Sequence, residues 1–525
     1  MFVEKKWGFV EIINLALSKT MSFPAYSITY PSTQVKFQYL RSLALSACIV
    51  LFLTVVGCDS PTVADYQESE DSAFDEYQKA GKKSGKSDKS DKSDKSDKSG
   101  KSDKSGKSGK SQKSDRSDSD LIQLLAAVSP TGSARYFQMP DSDRLRDIPQ
   151  DPLNPLSRHK VQLGKLLFHE TGLGINSETG SLATFSCASC HMAEKGFQAG
   201  AAQGVADGGS GFSMRENIHG ELSDIQPIRT PSAMNAGFQQ LTLWNGQFGG
   251  QGNEGLGDGS VDFVQLNQEG FAGLEVQAIK GLQVHRLEGG IEVVSNLKKY
   301  DKLFQEVFGR SDDSINRRNA GLAIAAYERT VMANKAPFQK WLSGESSAMS
   351  QQEKMGALVF FGKGNCVACH SGPALSSDSF HALGLYDLDL GAPGEMIGAV
   401  PNQVRGGRGG FSGNAADDYT FKTPQLYNLA DSPFYGHGAS LRSIREVVEY
   451  KNRAIPQNPS VAGLSQQFYS LNLTTEEVDA LVEFLEYGLR DPDLMRYVPS
   501  KLPSGNCVSL NDLQSQSDLM CTAGG

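Results

Sequence analysis

Two short runs, Cys187-Ala188-Ser189-Cys190-His191 and Cys366-Val367-Ala368-Cys369-His370, bring two thiols and an imidazole together at identical spacing. Two thiols on one turn can add to the two vinyl groups of a porphyrin while the adjacent histidine ligates the iron, which is how c-type haem is attached. A zinc site would want a second thiol or imidazole pair at ligand spacing, and a redox dithiol has no use for the histidine. The repeat therefore predicts two covalently bound haem c groups, held by Cys187, Cys190, Cys366 and Cys369, with His191 and His370 as axial iron ligands.

Such turns must hang from rigid elements. Residues 158–168 and 351–361 place apolar side chains at helical spacing immediately ahead of each motif. Thr474 and Glu477 have capping-box spacing ahead of Val478, Leu481, Val482 and Leu485, and further helical runs are expected over 313–332 and 441–452. Strand-like alternation is scarce, and Gly-rich stretches at 204–211, 246–259 and 391–413 read as loops. The expected fold is mainly α, with two cytochrome c-like haem domains in one chain, 121–335 and 336–525, and long Gly-rich loops.

A length of 525 residues is enough for two or three domains, but part of it is not core material. Lys36 and Arg41 precede an apolar run over 43–56, too short for a comfortable membrane span and suited to a secretory leader. The run ends in Val55-Val56-Gly57-Cys58, which resembles the lipobox of bacterial lipoproteins. Cys58 is then a lipid anchor and 1–58 a signal peptide, which discards Cys48; a plain signal peptide or an uncleaved anchor helix is the alternative. The long stretch before Lys36 points to a translation start after Met1. Either way the chain is exported, to the periplasm or cell envelope. Residues 59–120 are expected to be a disordered tether, because from 81 to 120 the chain cycles through Lys-Ser-Asp and Lys-Ser-Gly units with no apolar residue to bury. Contact with cell wall or a polyanion is the weaker use, because neighbouring aspartates cancel the lysines. The formal charge is −9 and the lysines cluster in this stretch, so nucleic acid is not an expected partner. Cys507 and Cys521, in the polar tail of an exported chain, are expected to form a disulfide.

Further motifs carry a resemblance. Leu163-Gly164-Lys165-Leu166-Leu167-Phe168 precedes the first motif; Thr230-Pro231-Ser232-Ala233-Met234-Asn235-Ala236 and Leu243-Trp244-Asn245-Gly246 follow it. Phe421-Lys422-Thr423-Pro424 and Ser432-Pro433-Phe434-Tyr435-Gly436-His437-Gly438 lie beyond the second. From about residue 152 to 498 the chain resembles the bacterial dihaem cytochrome c peroxidase family, which includes the methylamine-utilisation dihaem enzyme that oxidises protein side chains. The resemblance implies a peroxidatic first haem and an electron-transferring second haem. It assigns the catalytic glutamate to Glu275, in Gly273-Leu274-Glu275-Val276-Gln277-Ala278, and makes Trp244 the electron bridge.

Some positions depart from the family. Where methionine or tyrosine is the sixth ligand of the second haem, this chain has Lys451, with Tyr450 one residue away. The removable distal histidine of the first haem corresponds to His219 or to His285; if neither binds, that haem is open from the start. The asparagine that helps to hold calcium between the haems is replaced by Arg229, which sets a cation against a cation. The family's arginine after Thr-Pro is Tyr427 here, and His437 falls at a near-constant histidine beside the second haem. The implied partners are hydrogen peroxide and a small electron-donor protein, a cytochrome c or cupredoxin, with a homodimer left open. Three functions follow: peroxide reduction, oxidation of Trp or Tyr on a partner protein, and electron transfer without catalysis.

Overall fold

The computed structural model describes residues 108–392 and 400–521, so the expected leader, Cys58 and the expected tether up to residue 107 lie outside the described residues. Helix dominates: α1 (Ser108–Val128), α2 (Arg158–His169), α3 (Gly273–Val284), α4 (Lys298–Phe308), α5 (Arg317–Glu328), α6 (Gln351–Phe361), α7 (Ile444–Arg453) and α8 (Thr475–Glu483), with shorter turns between them. Strand ladders among the described residues are two antiparallel pairs of two residues each. β1 (Gly209–Ser210) sets Gly209 opposite Asn217 of β2 (Glu216–Asn217), and β3 (Phe380–His381) sets Phe380 opposite Lys422 of β4 (Phe421–Lys422). No described helix is long and apolar enough to cross a membrane.

Side-chain caps fix where the helices begin. Ser157 accepts from Lys160 N at 3.2 Å, Asn316 from Asn319 N at 2.8 Å and Ser443 from Glu446 N at 3.1 Å. Ser350 with Glu353, and Thr474 with Glu477, close reciprocal boxes. Each such cap contributes about 1 kcal/mol. The caps also explain where the expected bounds shift. Helix α5 is shorter than 313–332 because Asn316 starts it late, and beyond its end Asn235 N donates to Val331 O at 2.8 Å, drawing the chain away. Helix α7 likewise waits for Ser443, and Leu485 falls in a wider turn, Phe484–Gly488, that continues α8. The Gly-rich stretch ending at Gly413 carries two short helices, Asn402–Arg405 and Arg408–Ser412.

The helix leading into each motif crosses a partner at a glycine. A Cβ on Gly164 of α2 would sit 1.8 Å from Ala323 O of α5, and one on Gly356 of α6 would sit 1.9 Å from Ala480 O of α8. Only glycine lets two backbones approach so closely. Phe168, Phe185, Phe197 and Tyr327 fill the core near the first crossing and Phe338, Phe360, Phe361 and Phe484 near the second, in one continuous cluster. Each buried phenylalanine contributes roughly 2 kcal/mol.

All described residues belong to one compact unit, and both ends of the folded chain reach across it. Helix α1 starts inside the stretch expected as tether, so the boundary expected at Asp120 falls within it. Asp118 accepts from Trp341 Nε1 at 2.9 Å and pairs with Lys354 Nζ at 2.6 Å, while Leu121 and Leu125 are fully buried. These partners give the Lys/Ser/Asp sequence a reason to be helical that its composition lacks. At the other end the expected Cys507–Cys521 disulfide is present. The loop it closes lies on the first motif: Ser186 Oγ and Ser189 Oγ donate to Ser509 O at 3.1 and 3.2 Å, and Asn511 Nδ2 donates to Ala183 O at 2.9 Å. Asp512 fastens it further, pairing with Arg215 at 2.7 Å and accepting from Ser210 Oγ and Gly211 N, each at 3.0 Å.

Candidate functional site

The first motif is a single tight turn in which Cys190 N and His191 N both donate to Cys187 O, at 3.2 and 3.1 Å. Because a carbonyl can only accept, His191 Nδ1 donates to Phe197 O at 3.1 Å, and the carbonyl of Pro231 also faces the ring. Nε2 keeps its lone pair for a metal. Burial holds the His191 pKa down to about 4, so the ring is neutral at pH 7. Burial also pushes the Cys190 thiol up to about 12 and Cys187 above its ordinary range, and neither is in a disulfide.

The second turn repeats this frame. Cys369 N and His370 N donate to Cys366 O at 3.2 and 2.9 Å, and His370 Nδ1 donates to Leu375 O and Pro424 O, both at 3.1 Å. Burial, helped by the charge of Lys451, holds His370 down to about 4, and burial pushes Cys366 up to about 12. Cys366, Cys369 and His370 line a cavity of about 310 Å³ together with Phe434, Leu441 and Val448.

Lys451 lines the same cavity, its Nζ 5.7 Å from the centre of the Phe468 ring, and burial lowers its pKa to about 8. The hydroxyl of Tyr450 is committed elsewhere, donating to Leu383 O at 2.5 Å. Trp244 donates Nε1–H to Arg229 O at 2.8 Å, and its own carbonyl accepts from Lys422 N at 2.8 Å. Arg229 and Lys422 stand two residues before Pro231 and Pro424, whose carbonyls face the two imidazoles. One residue, Trp244, thus touches both segments that orient the histidines, one through its indole and the other through its backbone. His437 lies edge-on to Trp244 at 6.3 Å and stacks on Phe421 at 3.6 Å.

Glu275 sits in a closed arrangement rather than facing a pocket. It is fully buried, Arg329 donates to Oε1 at 2.8 Å and to Oε2 at 2.5 Å, and Asn154 Nδ2 donates to Oε1 at 3.2 Å. Leu274 and Gln277, its neighbours on α3, line the cavity. His219 is exposed in a surface turn. His285, the other candidate, is near enough for its charge to depress the pKa of His191. Its Nδ1 lies 2.7 Å from Asp224 Oδ2; burial disfavours the charged ring, but Asp224 outweighs this and raises the His285 pKa. On α5, burial and then the charge of Glu275 raise Glu328 to about 8; its Oε2 has no hydrogen-bond partner, and its charge reaches Cys187.

A profile described as Di-haem cytochrome c peroxidase matches residues 158–347. The methylamine utilization protein MauG of Methylophilus methylotrophus is 31% identical over 360 residues, covering 67% of this chain and 88% of the relative. The chain belongs to the dihaem cytochrome c peroxidase family. Another family member, the cytochrome c551 peroxidase of Nitrosomonas europaea, is 26% identical over 359 residues, covering 68% and 88% of the two chains. The crystal structure of a MauG-like protein associated with microbial copper homeostasis shares the fold, with a TM-score of 0.50 at 23% identity over 69% of this chain and 96% of that one.

The family's two c-type haems fit what is present: four half-buried thiols outside any disulfide, two neutral imidazoles with a free nitrogen, and an apolar cavity at the second turn. Among the described residues no cluster of three or more His, Cys, Asp or Glu is arranged to hold a metal ion, and Arg229 fills the place expected of a calcium-binding asparagine. Sequence reasoning missed Asp224, Glu328 and the burial of Lys422. Asp224 stands in a loop without a motif, and only Tyr327-Glu328-Arg329-Thr330, an ionic pair on an apolar helix, hinted at the second.

Proposed function

We propose that this member of the dihaem peroxidase family reduces hydrogen peroxide to water, taking electrons from a small donor protein at the second turn and using them at the first. The observation that carries this reading is Trp244, whose indole N–H donates to Arg229 O and whose backbone carbonyl accepts from Lys422 N, so that one residue joins both segments that orient His191 and His370. Cys187 and Cys190 would hold one haem, and Cys366 and Cys369 the other, each thiol adding its S–H across a vinyl double bond. When bound, the haems supply one-electron chemistry and an iron face open to peroxide.

Reduction of peroxide also needs two protons delivered where the O–O bond breaks. His285, anchored at Nδ1 by Asp224, has Nε2 free to hold and release one, and Glu328 is a second buried proton carrier. Glu275 reaches this role only if its ion pair with Arg329 opens; the closed geometry supports it as the group that fixes α3 against α5. At the second turn Lys451 is the sixth-ligand candidate favoured over Tyr450, whose hydroxyl is occupied. Arg229 in place of the calcium asparagine supports a site without that ion. The reading further includes two haem domains, 121–335 and 336–525, with long Gly-rich loops, and export with a lipid anchor at Cys58.

Oxidation of Trp or Tyr on a partner protein is the second reading, favoured by the higher identity to MauG than to the c551 peroxidase. Protein made in a host competent in haem maturation should give pyridine haemochrome bands for two haems, and should consume peroxide with reduced cytochrome c alone. Consumption only in the presence of a specific partner protein would favour the second reading, and no reaction with peroxide would leave a plain electron carrier. Replacement of Lys451 by leucine should change the low-spin paramagnetic-resonance signal of the second haem; an unchanged signal removes Lys451 as a ligand.

A further inference from the structure

Arg229-Thr230-Pro231 and Lys422-Thr423-Pro424 are matching segments of the two halves, and each begins with a buried cation. Arg229 is 2% exposed and Lys422 6% exposed, and both line the cavity that Trp244 shares. Their hydrogen-bond partners are neutral. Arg229 Nη2 donates to Gln198 Oε1 at 2.7 Å and to Ser432 Oγ at 3.0 Å, and Lys422 Nζ donates to Gln239 Oε1 and, at 3.5 Å, to Thr423 O. Among the described residues neither forms an ion pair with a carboxylate, and the buried Nη1 of Arg229 has no partner.

A buried charge without a counter-charge is costly, and an arginine with a vacant N–H is shaped to receive a carboxylate oxygen. Each haem brings two propionate carboxylates. We propose that Arg229, through Nη1, and Lys422 bind haem propionates on either side of Trp244, and that these two fixed cations raise the reduction potentials of the haems they serve. The proposal rests on the two-haem reading. It makes Arg229 and Lys422 positioning residues that hold the ring edges and supply charge.

The test is spectroelectrochemical titration of both haems in the purified full chain and in Arg229→Gln, Arg229→Lys and Lys422→Gln, each with its haem content measured by pyridine haemochrome. A lost cation favours the oxidised haem, so Arg229→Gln and Lys422→Gln should each lower a midpoint potential, while Arg229→Lys should keep it near wild type. Unchanged potentials in either glutamine variant with two haems would overturn the assignment for that residue. A shift in Arg229→Lys as large as in Arg229→Gln would overturn it for Arg229, because charge would not be the cause. If Arg229→Gln fails to retain haem, retention of both haems by Arg229→Lys supports a charge requirement, and loss in both overturns it. A wild-type chain lacking two haems would instead defeat the family-based reading.

Discussion

The two Cys-x-x-Cys-His turns share a frame and differ in their surroundings. Each follows a helix that crosses another at a glycine, and each aims its imidazole with a carbonyl on Nδ1. The first is held under the loop closed by Cys507–Cys521 and has titratable groups nearby, His285 on Asp224 and Glu328. The second opens on a largely apolar cavity that Lys451 lines from α7. The same turn is thus set among different charges by distant segments, which is the contrast that the proposed division of roles rests on.

The largest expected effect would break that contrast. His285→Asn should lower peroxide turnover by roughly a hundredfold to ten-thousandfold, the range for loss of a general acid or base, with little change in melting temperature. Glu275→Gln should do the reverse, leaving Arg329 buried beside a neutral amide and costing about 3–5 kcal/mol of stability with a smaller effect on rate. Steady-state kinetics and thermal denaturation of the two variants decide this; the opposite outcome would return the proton-transfer role to Glu275.

Next, the shared frame can be sharpened with one methyl group. Gly164→Ala and Gly356→Ala each drive a Cβ into a carbonyl oxygen that cannot move aside, so each should cost about 3 kcal/mol, the upper part of the overpacking range. Similar losses in denaturant titrations support equivalence of the two crossings; a large loss at only one would refute it.

The smallest effect concerns the loop over the first turn. Burial opposes the charge on Asp512, but hydrogen bonds from Ser515 and Gly211 and the Arg215 partner outweigh it and depress its pKa below the ordinary carboxylate value of 3.8. The stability this adds is complete above pH 3.8 and is lost as pH falls through the lower folded value. Asp512→Asn should cost about 1–3 kcal/mol near neutral pH and flatten this acid dependence, measured as stability against pH. An unaltered acid limb would mean that Asp512 is not its source.

Features carried by neighbouring residues were legible in the sequence. The two motifs, the helices ahead of them and the Thr474 box depend on spacing within a turn or two, and the structure has them where periodicity predicts. Trp244 and Glu275 were legible only as matches to a family pattern, which gives a position but no partners. That Arg329 closes on Glu275, or that Asp224 steadies His285, depends on segments brought together by folding. Helix α1 was misjudged at its start for the same reason, since Asp118 is stabilised by Trp341 and Lys354, far along the chain.

That crossing of the two ends has a practical outcome. A chain severed between its motifs would not yield two working halves, because the amino-terminal piece would take α1 away from α6 and the carboxyl-terminal piece would carry off the cover of the first turn. A nick near residue 500 should loosen only the first turn, and force applied through the leading helix would reach the second turn first.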